Sequence, residues 1–424
     1  MKKILFLLTI LCMIVIFNYG QAPITLSVWS GYPEMEPLYK IVADEFTKLH
    51  PNVKVEILVM PLRDYERKLA LTIPAGSAGD ILEVAYSTMF RYINAGFIPP
   101  APDNIANFVK SGPWARFFVN AASYKSRIYG IPLFRGQAAL FYNTKMFREA
   151  GLKRPPRTMK EYTEYAIKLT KRDTQGNPIV SGWSLRLTGG GQGIAEKFWI
   201  NLHQWGGALL KQTADGKWTT DFVNDAGIKT LQQYVDLVHK YKTVTPEMKA
   251  DAEAFELGLT AMFIRESWVI GDIAKKSPNL EYATAYLPRG TITLPVNLYV
   301  YTKDKQKSEL AWEFAKLVVE PKYQLWLAEN IGWLPNRQDV DYSTLISKIP
   351  QFKAFLEIPK GYVLFSLPPI APIEEILTKT AERLVKAYND KNLVDNPQGI
   401  KKVLEEIDNE IKSILAREGL LSSK

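Results

Sequence analysis

Residues 24–59 constrain the fold more than any other part of the 424-residue chain. Thr25 to Trp29 has the composition of a short buried strand. After the turn-rich Ser30 to Pro37, Leu38, Ile41, Val42, Phe46 and Leu49 recur at helical spacing. Pro51 ends that helix, because the proline ring disfavours helical geometry in the residue before it. Val53, Val55, Ile57 and Val59 then alternate with Lys54, Glu56 and Leu58, the period of a strand. Strand, helix and strand in so few residues predict a parallel pair joined by a crossover helix, and with it an α/β fold.

The pattern continues downstream. Ile81 to Tyr86 reads as a strand after the Gly76–Gly79 turn, and Ala138 to Tyr142 as another after Tyr129-Gly130-Ile131-Pro132. Lys160 to Thr170 reads as a helix, Ala261 to Ile264 as a buried strand. Leu310, Phe314, Leu317 and Val318 mark one helix face, and Val403, Leu404, Ile407, Ile411, Ile414 and Leu415 another near the C-terminus. Hydrophobic residues make up 47% and charged residues 23%, a balance that supports a large folded core. The length predicts about two or three domains. No long flexible linker divides the chain, so lobes joined by short crossings are expected.

The N-terminus has the order of an export signal over residues 1–20: Lys2 and Lys3, an apolar run from Ile4 to Phe17, then Asn18, Tyr19, Gly20, Gln21 and Ala22. Cleavage after Gly20 or after Ala22 fits, and a retained anchor is the alternative. The apolar run is short for a membrane span, which needs about twenty residues. Cys12 is the only cysteine, so neither a disulfide nor a cysteine-based metal site forms within one chain. Apolar Met13 to Phe17 follows it, which argues against a lipid-modified cysteine. The formal charge of +9 is spread along the chain without a run of five basic residues. The focused basic stripe of a nucleic-acid binder is therefore missing.

Catalytic signals are weak. His50, His203 and His239 lie far apart and outside any zinc-protease motif. Ala75-Gly76-Ser77-Ala78-Gly79 misses the serine-hydrolase elbow by one position. Gly189-Gly190-Gly191-Gln192-Gly193 does not fit a dinucleotide fingerprint and reads as a flexible surface loop. No cofactor and no metal are expected. Aromatic residues say more. Trp29, Tyr32, Tyr86, Trp183, Trp268 and Trp333 fall in loops or at strand ends, where open α/β sheets bind ligands. An indole face stacks on the apolar face of a sugar ring while polar neighbours fix its hydroxyls; the alternative for each is core filling.

Several stretches, taken in order, carry a resemblance. They are ITLSVWSGYPEMEPLYKIVADEFTKLHPNVKVEI (24–57), AGSAGDILEVAYSTMFRYINAGFIPP (75–100), YGIPLFRGQAALFYNTKMFREAGLKRPPRTMKEY (129–162), GLTAMFIRESWVIGDI (258–273), YLP (286–288), SELAWEFAKLVVEPKYQLWLAE (308–329) and GWLPNR (332–337). Together they resemble the maltose-binding-protein-like group within family 1 of the extracellular solute-binding proteins of ABC importers. The resemblance implies two α/β lobes of the periplasmic-binding-protein type, with a ligand cleft between them. Lobe 1 is expected over 24–134 with 291–335, and lobe 2 over 135–290 with 336–424. Crossings are expected near Pro132 to Gly136, near Pro288 to Pro295 and near Pro335. The lobes of such a chain close by hinge bending. The implied partners are a small sugar and the membrane permease subunits of the importer. The implied state is an exported monomer, periplasmic or on the extracellular face of the cytoplasmic membrane.

By position, the resemblance brings Trp29, Tyr32 and Glu34 to the cleft from the first loop. Tyr86 and Ser87 follow the third strand, and the serine stands where the family often has an aromatic or an aspartate. Arg135 sits at the first crossing, Trp199 on a helix of the second lobe, and Trp268 matches the family's stacking tryptophan. Asn297 and Trp333 are rim positions, and Glu374 stands where some sugar binders carry a late aromatic. Arg135, Arg186 and Arg265 leave an acidic sugar open as well as a neutral one. A secreted glycan-processing enzyme is the alternative from another class. It needs two carboxylates facing each other at about 5–10 Å. A polyamine binder would draw on Glu34, Glu83 and Glu266.

Overall fold

The computed structural model describes residues 23–189 and 191–423. Residues 1–20, read as an export signal, and Cys12 lie outside the described residues. The chain opens as expected: β1 (Ile24–Ser30), α1 (Glu36–Leu49) and β2 (Val53–Val59), with β1 and β2 parallel and in register from Ile24–Val53 to Ser30–Val59. There follow α2 (Leu62–Thr72), β3 (Ile81–Ala85), α3 (Tyr86–Asn94), the long strand β4 (Gly130–Asn143), α4 (Met159–Leu169) and α5 (Gln192–Trp205). Next come β5 (Met262–Glu266), α6 (Trp268–Lys276), β6 (Tyr282–Ala285), β7 (Gly290–Val300) and α7 (Lys305–Val318). The short β8 (Leu334–Pro335) and β9 (Val363–Phe365), then α8 (Ile373–Tyr388) and α9 (Pro397–Arg417), complete the set used below.

These nine strands form one continuous sheet whose main path is β5-β4-β7-β3-β1-β2. β3 is parallel to β1, while β7 lies antiparallel to both β3 and β4. The sheet has two ends with different cores. At one end Leu26, Val28, Leu133 and Leu298 pack on α1 and α7, and the opposite face puts Leu82, Val84 and Tyr299 against Tyr65 of α2 and Met89 of α3. At the other end Ala138 and Leu140 of β4 face the cluster of α4, α5, α8 and α9, and Ala139 and Phe141 face Phe263 and Ile270. Side chains of a strand alternate between faces, so each end is a sheet covered on both sides. β4, β7 and the chain around β8 run from one end to the other. The result is the two-lobe periplasmic-binding-protein architecture.

β4 is far longer than the Ala138–Tyr142 strand read from the sequence. Gly130 and Pro132 look like turn residues, yet they sit inside the ladder. Asn297 pairs with Pro132 and Val296 with Phe134, so the register slips by one residue there. That bulge accommodates a residue with no N–H to donate. Gly130 is required by close approach, since a Cβ would stand 2.8 Å from the Leu298 carbonyl oxygen. Among the described residues, no helix is long and apolar enough to cross a membrane.

Candidate ligand-binding cleft

β1 delivers its chain to the cleft through a tight loop. Tyr32 N–H donates to Ser30 Oγ at 3.0 Å, and a short 3-10 turn, Pro33–Met35, presents Glu34. Gly31 lets the loop lie on α2, because a Cβ there would be 2.6 Å from the Tyr65 ring. Phe134 of β4 and Trp333 before β8 stack at 4.9 Å with planes 27° apart. The Tyr32 ring meets both edge-on, at 5.3 and 5.5 Å. Trp333 Nε1 donates to Glu34 Oε1 at 3.1 Å. Burial raises the Glu34 pKa, partly offset by its backbone hydrogen bond and by Trp333.

The facing wall comes from the other lobe. Trp268 opens α6, with the Arg265 guanidinium 5.4 Å above its ring. Arg265 Nη1 lies 3.1 Å from Glu266 Oε2, and Lys197 Nζ donates to Glu266 Oε1 at 2.9 Å. Burial alone would raise the Glu266 pKa, but Arg265 and Lys197 outweigh it and hold it at about 2. Asp251 bridges Arg186 at 3.4 Å and Arg265 at 3.6 Å. Arg186 lies against the first turn of α5, where a Cβ on Gly193 would come within 2.8 Å of its guanidinium. Gly189 and Gly191 are exposed, as expected of a surface loop, and Gly191, at φ 69°, leads directly into the cleft-facing helix α5.

Between these walls lies a cavity of about 510 Å³, within the size range of small-molecule sites, roughly 300–1,000 Å³. Tyr32, Glu34, Arg63, Phe134 and Trp333 line one side; Arg186, Glu196, Arg265, Glu266 and Trp268 line the other. An adjoining recess of about 100 Å³ is bounded by Glu66, Glu83, Ser87, Thr88, Gln192 and Leu367, among others. Burial raises the Glu196 pKa, opposed by Arg63. Glu83 is fully buried and receives hydrogen bonds from Ser30, at 2.9 Å, and from Tyr39.

Of the residues singled out from the sequence, Tyr32, Glu34, Arg186, Arg265, Glu266, Trp268 and Trp333 line the main cavity, and Glu83 and Ser87 line the recess. Five others are placed elsewhere. Trp29 alternates to the opposite face of β1 from Val28; its ring lies against Gly79 with Lys68 Nζ 4.7 Å above it. Tyr86 turns away to donate to the Ser123 carbonyl at 3.2 Å, and burial pushes its pKa up to about 12. Arg135 is buried in the crossing, donating to Gln137 Oε1 at 3.2 Å, to Phe355 O at 3.4 Å and to Pro335 O. Trp199 is core, 5.9 Å from the Phe365 ring. Asn297 is fully buried inside β7 and donates to Ala121 O at 2.9 Å and to the Tyr299 hydroxyl at 2.8 Å. Trp183 is core as well. Half-buried His203 packs on Phe365 at 4.6 Å, its pKa lowered by burial and then by Arg289.

Arg63, Phe134 and Glu196 line the cavity without having been singled out. Arg63 belongs to a charge-rich helix whose pattern reads as solvated. Among the described residues no cluster of His, Cys, Asp and Glu is arranged to hold a metal ion.

Comparison with known proteins bears on the family and the fold. The family described as bacterial extracellular solute-binding protein matches residues 42–354. The maltotriose-binding protein of Pyrococcus abyssi is 22% identical, over 85% of this chain and 81% of that protein. The diacetylchitobiose-binding protein of Streptomyces coelicolor is 24% identical, over 75% of each chain. The solved GacH receptor of Streptomyces glaucescens superposes with a TM-score of 0.77 at 20% identity, covering 93% of this chain and 99% of that one. The match spans well over half the sequence, and the chain belongs to the bacterial extracellular solute-binding protein family.

Proposed function

We propose that the chain captures a sugar or short oligosaccharide between its lobes and delivers it, chemically unchanged, to the membrane permease subunits of an ABC importer. The observation that carries this reading is the pair of aromatic walls. Tyr32 and Trp333 on one side and Trp268 on the other line a single cavity. Fixed charged groups stand between them, so ring faces have surfaces to stack on and hydroxyls have donors and acceptors in place. The relatives that bind maltotriose and diacetylchitobiose support the same ligand class. In this reading the lobes are 24–134 with 291–335 and 135–290 with 336–424. Residues 1–20 direct export to the periplasm or the outer face of the cytoplasmic membrane, and the exported chain acts as a monomer.

Thermal-shift screening against mono- and oligosaccharides tests the proposal. A ligand that binds only the folded state raises the midpoint by mass action. The expected result is a clear rise with at least one saccharide, recovered intact by chromatography. A panel with no rise, or a saccharide recovered cleaved, would overturn the reading.

A further inference from the structure

The lobes also meet outside the aromatic walls, at the outer end of the recess. Arg91 is one helical turn beyond recess-lining Ser87 on α3, and α3 belongs to the first lobe's core. Glu374 lies in the first turn of α8, a helix of the second lobe's core, a few residues after recess-lining Leu367. Arg91 Nη1 donates to Glu374 Oε2 at 2.8 Å across the gap. The side chains are 31% and 24% exposed, so the pair is partly shielded from water.

Both partners are held in place. Arg91 Nη2 donates to the Tyr92 hydroxyl at 2.9 Å, and the guanidinium sits 4.8 Å over the Tyr92 ring. A carboxylate in the first turn of a helix is favoured by the helix dipole. A second contact between the lobes lies nearby, from Arg63 Nη1 on α2 to Gln192 Oε1 on α5 at 3.4 Å. Arg63 is oriented by Glu66 at 2.7 Å. The glutamate is thus committed to a contact between the lobes.

We propose that Arg91 and Glu374 form an ionic clasp that seals the outer end of the cleft, biases the ligand-free chain toward closure and limits how far a bound ligand can extend. Only the limit on ligand length rests on the proposed function. The bias toward closure belongs to the chain alone. A ligand reaching past the recess must displace the pair, whereas one confined between the aromatic walls leaves it intact.

The test measures closure without ligand. The full chain carries Cys12→Ser, which removes its only native thiol. Spin labels are placed through Ser77→Cys in one lobe and Lys386→Cys in the other, both at exposed positions. Double electron–electron resonance then reads the distance between the lobes. Arg91→Gln and Glu374→Gln are each expected to raise the open-to-closed ratio roughly two- to fivefold, the size expected of a partly exposed pair. Arg91→Glu combined with Glu374→Arg should restore the closed population. Without any substitution at the clasp, raising salt to about 1 M, where the screening length is about 3 Å, should open the labelled chain in the same direction. A distance distribution unmoved by salt and by both single variants would overturn the clasp. The salt series decides the matter even if a variant fails to fold, and the distances decide it whether or not any saccharide binds.

Discussion

Glu266→Gln probes the charge network of the cleft most sharply. In the folded chain Arg265 and Lys197 outweigh burial and hold the Glu266 carboxyl at about 2, against an ordinary value of 4.5. A folded-state pKa below the unfolded one adds stability above the unfolded value, and that stability is lost as pH falls through the folded value. At 1.36 kcal/mol per unit, the difference amounts to about 3 kcal/mol near pH 7. By the same linkage it drops to less than half of that near pH 3. The variant also leaves Lys197 buried beside an amide, a destabilisation that does not depend on pH in this range. Urea unfolding of both chains at a series of pH values separates the two parts. The stability gap between native chain and variant should narrow by about 2 kcal/mol between pH 7 and pH 3. A gap that stays constant over that range would show that the network does not hold Glu266 ionised, and the reasoning would fail.

Three other perturbations test different parts of the structure. Glu83 is buried without a cation, and burial raises its pKa well above the ordinary value. Its contribution is therefore full below the unfolded pKa and is lost as pH rises toward the folded one; Glu83→Gln should gain stability over the native chain from pH 5 to pH 8, read by thermal midpoint. Trp268→Ala should weaken saccharide binding roughly 30-fold, the scale of an aromatic hot spot, with the circular dichroism spectrum unchanged; calorimetric titration checks it. Arg135→Met removes the donor to the buried Pro335 carbonyl, and one of two donors to the Phe355 carbonyl, which keeps Gln137 Nε2 at 3.2 Å. A buried carbonyl left without its donor costs roughly 1–3 kcal/mol, and denaturant unfolding should show a loss of that size.

Local patterns carried the fold a long way. β2 occupies the Val53–Val59 stretch of alternating residues, and α1 ends at Leu49, just before His50 and Pro51. The long strand β4 was legible only in its second half, because Gly130 and Pro132 signal turns locally and a bulge absorbs them only when β7 pairs alongside. The cleft was less legible than the fold. Tyr32, Glu34 and Trp268 sit just past strand ends and Trp333 just before one, and such segments converge on the cleft by topology. Asn297 and Trp199 are in regular elements, where the direction of a side chain depends on packing that the sequence does not display. Arg135 lies at the crossing as expected but is turned into it by the carbonyls of Pro335 and Phe355. Arg63 and Glu196 were not singled out, because a charge on a helix does not show in the sequence which face the opposite lobe covers.

Hydrogen exchange with and without a saccharide that raises the melting midpoint tests the central claim most directly. Capture between the lobes predicts slowed exchange in segments from both walls together: residues 31–36 and 331–335 on one side, 186–197 and 265–276 on the other. Protection confined to one lobe, or lying wholly outside these segments, would contradict a ligand held in the cleft.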